Sequence, residues 1–157
     1  MKPVRTFAQQ VHTGAAAEAK LDRWAEQRFG EPPEQVDMAM QKAGIDRTVA
    51  GITLEYKADS QGHRTGNVFL ETISVDRTGK PGWVWTTEAD WVVYWLPASG
   101  DGWLLAPAAL RDRIWDWSRR FRVKVSSNPT YHSYGLLVPV GELEQVAAEA
   151  FNWKDDA

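Results

Sequence analysis

The clearest pattern along the chain is a change of hydrophobic period near residue 45. Before it, apolar residues recur at helical spacing. Leu21, Trp24, Ala25 and Arg28 keep a three-to-four rhythm, so Thr13 to Phe29 is predicted as a helix, ended by Gly30 and Pro32-Pro33. Glu34 to Ala43 is predicted as a shorter helix stopped by Gly44. After it, strand-like runs dominate, at about 45–49, 52–59, 66–74, 82–86 and 91–96. Turns are supplied by Gly62, Gly66, Gly79-Lys80-Pro81-Gly82 and Ala98-Ser99-Gly100-Asp101-Gly102. Pro107 opens a long helix to about Phe121, residues 122–126 and 135–140 read as short strands, and Glu142 to Asn152 is a final helix. The order predicts an α/β fold with a mixed central β-sheet flanked by helices. One domain over 1–157 is expected, with 1–12 as a loosely held arm.

Residues 45–57 carry the most information: Ile45-Asp46-Arg47-Thr48-Val49-Ala50-Gly51-Ile52-Thr53-Leu54-Glu55-Tyr56-Lys57. With Ala50-Gly51 as a two-residue turn, Val49 pairs with Ile52 and Asp46 falls opposite Glu55. Directly opposed residues lie about 5 Å apart at Cβ. Strand side chains alternate, so Glu55, Lys57 and Asp59 share a face. Two carboxylates at that spacing suit a divalent cation, and a neighbouring lysine suits activation of water. Glu71, on the next predicted strand, is expected to join them. The plainer reading of such alternating charges is a solvated sheet face with cross-strand ion pairs.

Composition narrows the chemistry. Charged residues make up 25% of the 157-residue chain and apolar residues 43%, as in ordinary globular proteins. The absence of cysteine excludes disulfides, zinc thiolates and thiol nucleophiles. The histidines, His12, His63 and His132, are scattered, which disfavours a histidine metal site. No Ser-His-Asp arrangement and no glycine-rich phosphate loop is present. No apolar signal core follows the first residues and no run reaches membrane-spanning length, so a cytoplasmic location is expected. The net charge of −3 argues against a general nucleic-acid coat protein but not against a local basic groove. Nine tryptophans are expected to serve mostly as core.

Gly44-Ile45-Asp46 followed by Glu55-Tyr56-Lys57 resembles the core motif of the PD-(D/E)XK, or restriction-endonuclease-like, nuclease superfamily. The runs Glu55 to Asp59, Thr65 to Glu71 and Gly82-Trp83 through Ala89-Asp90-Trp91 resemble small phage and bacterial members. The resemblance spans roughly residues 37–96, with a weaker echo at Gly135 to Pro139. Ile45 stands where the motif has proline. The resemblance implies an α/β/α fold and Mg²⁺- or Mn²⁺-dependent cleavage of DNA phosphodiesters. By position Asp46 matches the motif aspartate, Glu55 the second acid and Lys57 the lysine. Asp59 is a further candidate metal ligand, and Glu71 a catalytic auxiliary. A second register, built on Asp59 and Glu71, takes its lysine from the neighbouring strand.

The segment Arg111 to Lys124 holds six basic and two acidic residues interleaved with Trp115, Trp117 and Phe121. Arg119, Arg120 and Arg122 are candidate phosphate contacts. An amphipathic helix with a core-facing aromatic stripe explains the aromatics equally simply. Trp83 to Trp91 suggests a capped helical turn at Thr86 or Thr87, and Asp37 and Gln41 share a helical face before the hairpin. The nuclease expectation has one rival, a catalytically inactive protein of the same fold that binds DNA or a protein partner. A homodimer is compatible with cutting both strands.

Overall fold

The computed structural model describes residues 7–155. Helix α1 (Phe7–Phe29) is followed by a short strand β1 (Glu34–Gln35) and helix α2 (Met38–Lys42). Strands β2 (Arg47–Val49) and β3 (Ile52–Ala58) form the hairpin read from the sequence, with Val49 opposite Ile52 and Arg47 opposite Leu54. Ala50 (φ 51°) and Gly51 (φ 78°) both lie in the left-handed region, as a tight hairpin turn of matching twist requires.

A helical turn α3 (Gly62–Thr65) leads into the long strand β4 (Asn67–Val75), then β5 (Lys80–Pro81) and a second helical turn α4 (Trp83–Thr86). Strands β6 (Trp91–Trp95) and β7 (Asp101–Leu105) precede helix α5 (Pro107–Arg120). The chain closes with β8 (Val123–Ser127), β9 (His132–Pro139), α6 (Val140–Val146) and β10 (Glu149–Asn152).

The expected α/β class with a mixed central sheet is what the chain forms. That sheet runs β1-β2-β3-β6-β7-β10, and β3 and β6 are its parallel pair. The continuous apolar run Trp91-Val92-Val93-Tyr94-Trp95 is the mark of a strand covered on both faces. On one face, α1 contributes Leu21, Trp24 and Ala25 against Leu54, Tyr56, Val93, Trp95 and Leu104. On the other, Val92, Tyr94, Trp103 and Leu105 meet Leu110, Ile114 and Trp117 of α5 and Val68, Leu70, Leu136 and Val138 of a second sheet. This second sheet is antiparallel, in the order β5-β4-β9-β8.

Several local expectations differ. Phe7 to His12, expected as an arm, continue α1; residues 1–6 of that arm lie outside the described residues. The helix expected over 34–43 is reduced to Met38–Lys42, because Asp37 caps it by accepting from Met40 N (2.9 Å), while Glu34 and Gln35 pair with β2. Residues 83–86 are helical rather than extended, held by Thr87 N to Trp83 O. The turn expected at 98–102 gives way early to β7. The last helix stops at Val146, and Glu149–Asn152 is a strand on β7. Phe151 there stacks on Trp24 at 4.3 Å, a tertiary contact that outweighs local helical spacing. Among the described residues, no helix is long and apolar enough to cross a membrane.

Candidate functional site

The hairpin decides where the charged residues of β3 point. In the parallel ladder Glu55 pairs with Val92 and Lys57 with Tyr94. Both side chains therefore project from the face that α4, α5 and the second sheet cover. Glu55 is consequently 5% exposed, although it is a carboxylate. Its Oε1 lies 3.1 Å from Lys57 Nζ, and its buried Oε2 has no hydrogen-bond partner. Burial raises the pKa of the Glu55 carboxyl above the ordinary carboxylate range. The Lys57 ammonium and the Thr87 hydroxyl oppose that rise, and the charge of Asp46 adds to it. Thr87, buried just after α4, is itself occupied: its Oγ1 donates to Gly44 O (3.4 Å) and accepts from Ala89 N (3.3 Å).

Asp46 enters the hairpin just before β2. Its backbone N–H donates to Leu54 O (2.8 Å), and its Oδ2 accepts from Tyr56 N (2.7 Å). Its other oxygen makes no hydrogen bond among the described residues. The carboxylate thus continues the ladder by one position and stays beside Glu55. Lys57 lies at the outer end of this group, with its side chain a third exposed and its Nζ 5.4 Å from the Trp83 ring.

The expected convergence of further acids does not occur. Among the described residues no group of three carboxylate or histidine side chains is placed to share a metal ion. Asp59 continues the face of Glu55 and Lys57, but β3 ends at Ala58. Asp59 Oδ1 accepts from Gln61 N (2.8 Å) and Gly62 N (3.0 Å), holding the turn into α3, and Oδ2 accepts from Tyr94 OH (2.7 Å). Both oxygens are spent on the fold. Glu71 sits on β4, which belongs to the second sheet rather than to the hairpin's. It faces a cleft of about 400 Å³ that Lys57, Asp59, Trp83 and Lys124 also line. The signal that sequence reasoning missed is Thr87, read only as a capping residue.

The arginine-rich segment divides in the same way. Trp117 and Phe121 turn to the core, as an amphipathic helix demands. Arg111 donates to Val84 O (2.8 Å) and Thr87 O (2.7 Å), tying α5 to α4. Arg120 is held by Glu142 (2.6 Å) and Asp116 (2.8 Å). Arg119 and Arg122 are exposed and have no ion pair among the described residues. Asp37 caps α2, and Gln41 donates to Val36 O (3.2 Å), so this pair serves local structure.

Compared with family models, curated proteins and solved structures, the chain matches none.

Proposed function

We propose that the chain is a metal-dependent nuclease of PD-(D/E)XK type that hydrolyses DNA phosphodiester bonds, with Asp46, Glu55 and Lys57 as its working group. The observation that carries this reading is the buried, unpartnered Oε2 of Glu55 beside a second carboxylate and a lysine. A buried carboxylate oxygen without a donor is costly, and two neighbouring carboxylates repel. A hard divalent cation relieves both costs, and the donor set, all oxygen, suits Mg²⁺ or Mn²⁺. The fit extends to Glu55 and Asp46. Asp59 is not proposed as a ligand, since its oxygens are engaged elsewhere.

When bound, such an ion supplies Lewis-acid stabilisation of charge on a phosphoryl oxygen and acidifies water. Glu55 and Asp46 then fix the position of that charge through the rigid hairpin. Lys57, at the border between buried acids and open cleft, orients water and offsets negative charge developing on the phosphate. Glu71 lines the same cleft as Lys57.

The test is cleavage of linear, circular and single-stranded DNA with Mg²⁺ and with chelator. Cleavage is expected with the metal, none with chelator, and a loss of at least about 100-fold in Glu55→Gln, comparable to removing one transition-state contact. Full activity in Glu55→Gln, or cleavage insensitive to chelator, overturns the assignment. One observation favours a second reading: among the described residues only two acids meet, and the ammonium already pairs with one of them. A protein that binds DNA or a protein partner without cutting fits that, and DNA binding with no cleavage under any metal condition selects it.

A further inference from the structure

The cleft beside Lys57 is built unlike a duplex-binding groove. At about 400 Å³ it lies near the lower end of small-ligand sites, roughly 300–1,000 Å³. It is formed where the end of β3 meets the outer face of the second sheet. We propose that this cleft receives a single unpaired nucleotide, so that the substrate is a single-stranded or frayed DNA end rather than intact duplex. The proposal rests on the reading of Glu55 and Lys57 as the hydrolytic end of the same site.

Four features of the lining fit a nucleotide. Trp83, half-buried, lies 6.4 Å from Tyr94 and beside Lys57, which places a stacking surface next to a cation. Base–aromatic stacking of this kind does not depend on sequence. Phe69 is one of the lining residues. Its ring lies over Gly135, where a Cβ would collide with it, so the glycine leaves room for that ring. Across the sheet Glu71 pairs with Gly135, and Gly135 pairs with Lys124. An acceptor and a cation therefore stand on either side of Gly135, and both line the cleft. Asn67, on the same face, has a side-chain amide with no hydrogen-bond partner among the described residues, free to meet a base edge.

The ligand's chemistry follows. The apolar lining and rings suit a base, Lys57 and Lys124 suit its phosphate, and the Glu71 carboxylate suits an exocyclic amine such as that of cytosine. A paired base carries its partner with it, so entry requires unpairing, which is least costly at a single strand or an end.

The test is tryptophan fluorescence of the full chain titrated with deoxycytidine 5′-monophosphate in chelator, with inorganic phosphate and deoxycytidine as separate probes. The nucleotide is expected to bind at millimolar concentration or tighter, and more tightly than either part. Lys124→Ala, on the exposed edge strand, is expected to weaken binding at least fivefold. Trp83→Leu is expected to do the same and to remove most of the fluorescence change. Equal binding of inorganic phosphate and nucleotide, or nucleotide binding unaffected by Lys124→Ala, overturns the inference. So does no binding at millimolar concentration. Because the readout needs neither metal nor cleavage, it separates the two readings. Binding without hydrolysis overturns the nuclease and leaves the nucleotide cleft. Metal-dependent cleavage without nucleotide binding does the reverse.

Discussion

At the scale of single residues, Glu55 is the one buried acidic residue among the described residues. The pKa of its carboxyl is raised by burial, so the native chain holds that proton more tightly than the unfolded chain. Stability from this group is therefore greatest at low pH and is lost as pH rises from the unfolded value to the raised native one. Glu55→Gln removes the penalty at neutral pH. The variant, without metal, is expected to melt at or above the parent temperature at pH 7, and the advantage is expected to shrink as pH falls. A variant clearly less stable at pH 7 would show that the Lys57 pair outweighs burial. Asp59 behaves oppositely. Asp59→Asn turns an acceptor facing Tyr94 OH into a donor, while that hydroxyl already receives Phe69 N (3.1 Å). A loss of about 1–3 kcal/mol is expected in denaturant titration, as for an unsatisfied buried group. Asp46→Asn keeps an acceptor for Tyr56 N and is expected to cost less stability but to lose metal-supported cleavage. The reverse ranking would return the metal site to Asp59 and Glu71.

At the scale of elements, the β2–β3 turn stores a removable strain. Ala50 occupies the left-handed region with a side chain, at a cost of roughly 1–2 kcal/mol. Its N–H donates to Glu31 Oε1 (2.5 Å), a bond that glycine keeps. After the extra chain entropy that glycine loses on folding, Ala50→Gly is expected to stabilise the protein by roughly 0.5 kcal/mol. A lowered midpoint would mean that the turn is held by packing of the Ala50 methyl. The segment from the end of α5 to β8 offers the second element-scale test. Arg120 is already satisfied by Glu142 and Asp116, whereas Arg119 and Arg122 have no ion pair among the described residues. Replacing Arg119 and Arg122 is expected to flatten the salt dependence of DNA binding by up to about 0.9 for each phosphate no longer neutralised. Arg120→Ala is expected to leave that slope unchanged and to lower stability instead. Equal slopes in all variants would make the segment purely structural.

At the scale of the whole molecule, the site lies where three structures meet: the hairpin, the parallel β3–β6 pair, and the second sheet with α4 and α5. The ion proposed between Asp46 and Glu55 would act on all of them, because it would bind only the assembled arrangement. Mg²⁺ or Mn²⁺ is expected to raise the melting temperature progressively as the site fills, and Glu55→Gln to abolish the rise. An equal rise in that variant would place metal binding elsewhere. The tryptophans show the same layering. Trp24, Trp95, Trp103 and Trp117 are core, as expected from their burial tendency, while Trp115 is 73% exposed on the outer face of α5.

Local sequence settles the elements whose period and punctuation agree. Helix α1, the β2–β3 hairpin with its register, β6 and α5 all have local signals strong enough to stand against tertiary context. From that register it also determined that Asp46, Glu55 and Lys57 share one region. It could not determine which strands join which sheet, because pairing partners are chosen by the packing of distant apolar faces rather than by neighbours in the chain. So Glu71, one strand further on, fell to the second sheet, and Glu149–Asn152 became a strand by stacking Phe151 on Trp24. Burial was likewise invisible. By pattern alone Glu55 and Lys57 suit a solvated sheet face as well as a metal site; the closure of α4, α5 and the second sheet buried Glu55 and left Lys57 a third exposed. Only that closure turned an ordinary same-strand pair of charges into a buried acid with an unpartnered oxygen.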